Sequence, residues 1–156
     1  MAGFTLPSDF VFNRGPIRDP QGYVRDAGCA SWLYLCGSEF AEMEGGMSYA
    51  QVESAVDRSA NVISDPPRTM DLDLARRHVA ALDDLPRPTL VSCRTGPRAS
   101  ATVYMYAGLK AGASPEDVVA AAERDGAPCA TFDDLKTWIS SSMQALSAEA
   151  GGEAGS

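Results

Sequence analysis

The segment from Thr89 to Ala111 constrains the fold more than any other. It passes from a short apolar stretch, Thr89-Leu90-Val91-Ser92, into a glycine-containing loop, Cys93-Arg94-Thr95-Gly96-Pro97-Arg98. A helical pattern over 98–111 follows at once and is closed by Gly112. A short apolar run bounded by turn chemistry reads as a buried strand. A strand that enters a helix through so short a loop belongs to a parallel sheet covered by helices. In that arrangement consecutive loop N–H groups turn inward and the helix adds the positive end of its dipole. The loop is therefore an anion cradle by construction.

The rest of the chain supplies the layers around it. Asp9 to Phe12 is a first strand candidate and Asn13-Arg14-Gly15-Pro16 a turn. Pro20 to Ala27 reads as a helix with Gly28 at its end. Ser31 to Cys36, aromatic and apolar, reads as a buried strand. Positions 37–47 are acidic and glycine-containing, hence a loop. Ser48 to Arg58 has helical spacing at Tyr49, Val52 and Val56, and Asn61 to Ser64 is a strand candidate. Asp65-Pro66-Pro67 must be a loop. Asp71 to Leu82 is amphipathic, with Leu72, Ala75, Val79 and Leu82 on one face. Ser114-Pro115-Glu116-Asp117 opens a helix that runs to Arg124. Thr131-Phe132-Asp133-Asp134 opens the last one, which carries Leu135, Trp138, Ile139 and Met143. The expectation is one α/β domain over 1–146, with a mostly parallel sheet of about four strands and helices on both faces. Positions 147–156, small and polar, read as a disordered tail.

Charge narrows the function. The 156 residues carry a net charge of −8, which argues against a nucleic-acid binder, since that needs a basic face. No apolar run reaches the roughly 20 residues that span a bilayer, so no membrane partner is expected. The first 30 residues hold Asp9, Asp19 and Asp26 and do not read as a signal peptide. The cysteines Cys29, Cys36, Cys93 and Cys129 match no zinc spacing, and His78 is the single histidine. Neither a metal nor an organic cofactor is expected. Scattered cysteines in a chain this long suggest a reducing compartment such as the cytoplasm, a processed organellar protein included. An anionic substrate must then find its positive potential locally, and Arg94 and Arg98 beside Cys93 are the densest source.

Cys93, where the strand ends, is the candidate nucleophile. Helix dipole and arginines favour its thiolate there. Gly96 permits the bend, Arg98 can grip an oxyanion with its planar fork, and Arg94 points outward or braces the loop. The plain alternative is a small buried hydrophobe. Asp65 has a plain reading of its own, since Asp before Pro-Pro commonly forms a turn. His78 reads as a partly exposed histidine flanking an apolar stripe. Trp32, Tyr34, Val103, Tyr106 and Trp138 read as core. Cys29 and Cys36 read as inert thiols, and Cys29, Cys36 or Cys129 could resolve an oxidised Cys93.

The loop resembles the C-R-x-G-x-R loop of the tyrosine/dual-specificity phosphatase-like superfamily. The likeness is to its compact branch often fused to metallo-β-lactamase-like hydrolases. It is also similar to the rhodanese loop. The phosphatase resemblance extends over roughly 8–125, including Phe10-Val11-Phe12-Asn13-Arg14-Gly15 and the Asp-Pro-Pro loop. It implies a small anionic or phosphorylated substrate and a cysteinyl-phosphate formed on Cys93. Arg98 and the loop residues Arg94, Thr95, Gly96, Pro97, Ala99 and Ser100 would bind the phosphoryl group. Asp65 would be the general acid, with Asp71 second. The sequence departs from the usual pattern in four places. Four residues separate Cys93 from Arg98 rather than five, a short loop that the fused branch shares; Ser92 replaces a histidine, Ala99 replaces a hydroxyl residue, and Pro97 removes a donor. A sulfurtransferase carrying a persulfide on Cys93, and a non-enzymatic phosphate-binding module, are the other two readings.

Overall fold

The computed structural model describes residues 3–64 and 69–154. Four strands form the sheet: β1 Phe10–Phe12, β2 Ser31–Tyr34, β3 Arg58–Asn61 and β4 Thr89–Ser92. Their order is β1-β4-β2-β3 and every pairing is parallel. Thr89 faces Phe10 on one side and Ser31 on the other, so β4 is central. All residues of β2 and β4 are buried, as expected of parallel strands covered on both faces.

Alternation along these strands divides the core in two. Leu33, Leu35 and Val91 point to one face, where they meet α4 (Leu72–Asp84), α5 (Pro97–Ala111), α6 (Pro115–Arg124) and α7 (Asp133–Ala154). Trp32, Tyr34 and Leu90 point to the other, against α1 (Pro20–Ala27), α2 (Ser38–Ala41) and α3 (Tyr49–Ala55). The period of two in a strand produces this split from an unbroken apolar run. The expected single α/β domain with helices on both faces is what forms.

Local chemistry explains most boundaries. Asp19, Ser48, Asp71 and Ser114 each accept a backbone N–H of the first turn of the helix that follows. Gly28 and Gly112 end α1 and α5 in the left-handed conformation.

Five readings need correction. The helix expected to reach Arg58 ends at Ala55, because Val56 turns extended. The third strand therefore begins at Arg58 rather than Asn61. It is a polar edge strand, and the apolar Val62-Ile63 pair drew the reading past it. The loop over 37–47 contains the short helix α2. Residues Ala99 to Gly108 are all buried, since α5 lies between the sheet and three helices. The chain does not give way to a tail at position 147: α7 continues to Ala154. Alanines favour helix there, and Arg76 grips Glu149 through two hydrogen bonds of 3.1 and 3.2 Å.

His78 is the fifth correction. It is fully buried rather than partly exposed. Its Nδ1 meets the Thr102 hydroxyl at 3.1 Å and its ring stands edge-on to Trp138. Burial, aided by the charge of Arg77, pushes its pKa down to about 3. Unfolded, the imidazole titrates near 6.5. Between those values the unfolded chain binds the extra proton. The stability owed to a neutral His78 is therefore complete above pH 6.5 and is lost as pH falls toward 3. The expected slope from this group is about 1.4 kcal/mol per pH unit in that window. Urea unfolding at successive pH values checks it: His78→Gln should flatten the decline, and an unchanged slope would contradict the assignment.

Candidate functional site

The carboxyl end of β4 opens between the loops that follow β1 and β2, the position where ligands bind in parallel sheets. Cys93 is the first residue past the strand and is almost completely buried. Its Sγ accepts the Gly96 N–H at 3.1 Å and the Ala99 N–H at 3.4 Å. Ala99 lies in the first turn of α5, so the sulfur also faces the positive end of that helix. Donors and dipole both stabilise negative charge on sulfur.

Gly96 makes this geometry possible. Its φ is +119°, and a Cβ there would lie 2.1 Å from the backbone oxygen of Asn13. Both the conformation and the close approach demand glycine. Pro97 then takes the first helical position, where its missing N–H costs no helix hydrogen bond.

Asn13 does more than turn the chain. It is fully buried. Its Oδ1 accepts the Cys93 N–H at 3.2 Å, and its Nδ2 donates to the Cys93 carbonyl at 3.0 Å and to the Gly15 carbonyl at 2.9 Å. One side chain thus holds both backbone polar groups of Cys93. The Gly15 N–H donates to the Thr95 carbonyl at 2.8 Å, which ties the two loops together again. From below, Trp32 Nε1 donates to Ser92 Oγ at 2.8 Å.

The cysteine loop borders an open cleft of about 610 Å³. Arg94, Thr95, Pro97 and Arg98 line it from the loop, with Met70, Phe132, Asp134 and Leu135 opposite. The structure therefore brings Cys93, Arg94, Thr95, Gly96, Pro97, Arg98 and Ala99 into one place. The Arg94 guanidinium also lies 5.9 Å from the Phe40 ring centroid, on the far side of the loop.

Ser100 differs from its expected role. Its hydroxyl donates to the Pro97 carbonyl and accepts the Cys129 N–H, both at 3.0 Å. It braces the loop from behind instead of facing the cleft. The Asp71 carboxylate caps α4 through the Leu74 N–H at 2.8 Å. Asp65 lies outside the described residues. Its neighbours are placed: Ser64 N–H donates to the Leu35 carbonyl at 2.8 Å, and Ser64 O accepts the Thr69 N–H at 3.2 Å. Both flanks of 65–68 therefore stand at the carboxyl end of the sheet, one residue before cleft-lining Met70.

The four cysteines are thiols. Burial raises the pKa of Cys129 and of the half-buried Cys29, which favours their neutral form.

Solved structures share this architecture. Tk-PTP, in a glycine-to-alanine mutant form, superposes with a TM-score of 0.70 at 14% identity, covering 96% of this chain and 97% of its own. PTPMT1 gives 0.67 at 11% identity, covering 96% and 99%. A DUF442 protein of Shewanella putrefaciens assigned as a phosphatase gives 0.59 at 21% identity, covering 97% and 90%. The chain has the tyrosine-phosphatase-like fold. No family model matches its sequence, and no curated protein does.

Sequence reasoning missed Asn13 as a clamp, and it missed Met70, Phe132 and Asp134 as cleft walls. Only the Asn13-Arg14-Gly15 turn carried a local signal, the glycine two residues after a short-chain amide.

Proposed function

We propose that this protein is a cysteine-dependent phosphomonoester hydrolase. The observation that carries the reading is the Cys93 sulfur held under the Gly96 and Ala99 N–H groups beside the cleft that Arg98 lines. Thiolate Sγ attacks phosphorus, and an S–P bond forms as the P–O bond to the leaving group breaks. Asp65 gives its proton to the departing oxygen. Water then attacks phosphorus and gives a proton back to the Asp65 carboxylate, the S–P bond breaks, and inorganic phosphate and the thiolate are released. Arg98 grips the equatorial oxygens while loop amides and the α5 dipole hold the charge that develops there. The phosphatase-like neighbours support this reading through fold alone.

Two assays on the purified protein test it. Hydrolysis of 4-nitrophenyl phosphate is expected. A sulfur mass added at Cys93 by thiosulfate, without phosphate release, would instead indicate the sulfurtransferase. The Asp65 role has its own test. Asp65→Asn should slow phenyl phosphate about a hundredfold and 4-nitrophenyl phosphate only a few-fold, because a good leaving group needs little protonation. Equal losses for both substrates would remove Asp65 as the acid.

A further inference from the structure

The cleft beside the cysteine loop does not end at its far wall. A groove of about 390 Å³ adjoins it, and Met70 and Asp134 line both. This groove lies between the start of α4 and α7. Asp71, Thr137, Ser141 and Ser142 line the rest of it, with Trp138 among its apolar walls. The proposed chemistry does not use it.

Its two sides are fixed to each other. Trp138 Nε1 on α7 donates to the Asp71 carbonyl at 2.9 Å. The Asp71 carboxylate accepts the Leu74 N–H through Oδ1 at 2.8 Å, and its other oxygen remains for a ligand.

The groove is acidic where the cleft is basic. Asp71 and Asp134 are exposed, and neither belongs to an ion pair among the described residues. No lysine or arginine among the described residues lines the groove. Each carboxylate stands at the start of a helix, where the dipole supplies about half a positive charge. Two carboxylates against two such ends leave about one negative charge.

Ser142 points to a ligand independently. It is 2% exposed and lines the groove, and its hydroxyl has no hydrogen-bond partner among the described residues. Buried hydroxyls are normally partnered, so this one is left as an acceptor for a donor that enters the groove. No group of three or more side chains suited to hold a metal ion occurs among the described residues. The cation that fits is therefore an organic ammonium, which brings N–H donors with its charge.

We infer that the groove is a subsite for a protonated amine on the substrate. The substrate class is then a small zwitterionic phosphomonoester. Its phosphoryl group sits at Cys93, a partly apolar body passes Met70 and Phe132, and the ammonium group reaches Asp71 and Asp134. This rests on the phosphoester reading. An ammonium–carboxylate contact of this exposure is expected to tighten binding about fivefold.

Matched non-hydrolysable ligands test the subsite without relying on turnover. Calorimetric titration uses benzylphosphonate and its derivatives with a para aminomethyl or aminopropyl chain, each amine set against the alcohol of the same length. At one chain length or both, the amine should bind about fivefold tighter than its alcohol. Asp134→Asn alone, which disturbs no cap, should lower that ratio about twofold. In the double variant with Asp71→Asn the ratio should fall toward one, since asparagine still caps α4. Equal affinities at both lengths in the wild type, or a ratio unchanged in either variant, would overturn the ammonium subsite while leaving the phosphoryl site standing. Failure of every phosphonate to bind would overturn the phosphoester reading and the subsite with it.

Discussion

Cys93→Ser is expected to lower the rate of aryl phosphate hydrolysis by at least about a thousandfold while the protein remains folded. The substitution changes one buried atom. Serine oxygen is a weak nucleophile near neutral pH, and no histidine stands beside it to act as base, since His78 lies in the core between α4, α5 and α7. The loop itself keeps its support from Asn13, Gly15 and Trp32, whose hydrogen bonds run to the Cys93 backbone, the Thr95 carbonyl and the Ser92 hydroxyl. Thermal unfolding should shift little and benzylphosphonate should still bind. Turnover at the wild-type rate would eliminate Cys93 as the nucleophile.

Asn13 should give the next largest effect. In Asn13→Ala the Cys93 N–H and carbonyl both lose their side-chain partner in a buried place. That costs about 2–4 kcal/mol of stability and releases the loop that aims the sulfur, so activity is expected to fall about a hundredfold. Loss of stability alone would not separate positioning from simple support, and Asn13→Asp does. The aspartate keeps the shape and the acceptor for Cys93 N–H, loses the two donors, and places a negative charge beside the sulfur. Like charges disfavour each other, so the midpoint of iodoacetamide alkylation of Cys93 should move to higher pH. A midpoint unchanged in Asn13→Asp would mean that Asn13 only stabilises the fold.

These two residues show what the sequence made legible. Cys93 was readable because everything it needs lies within six positions: a strand before it, Gly96 in the bend and a helix start after it. Asn13 was not, because its partners are 80 positions away and meet it only after β1 pairs with β4. The same distinction holds for the fold. β2 and β4 were visible as apolar runs, since burial on both faces leaves no polar alternation to confuse the reading. β3 was shifted because an edge strand spends polar residues such as Arg58 and Ser59 on solvent and on its neighbours. Helix α6 had its start spelled out by Ser114 and Pro115. The burial of His78 had no such mark. It depends on α7 laying Trp138 across α4, and the helical pattern of α4 alone places His78 at the margin of the apolar stripe.

The cleft walls were hidden for the same reason. Phe132 and Asp134 come from the start of α7 and Met70 from the approach to α4. They gather around Arg98 because α4 and α7 both pack against α5.

Rapid acid quenching of the protein during turnover of 4-nitrophenyl phosphate, followed by mass spectrometry of its peptides, addresses the nucleophile most directly. One phosphoryl mass on the peptide bearing Cys93, absent from Cys93→Ser, is the predicted result. Phosphate release with no phosphorylated cysteine peptide, or with the phosphoryl group on another residue, would contradict it.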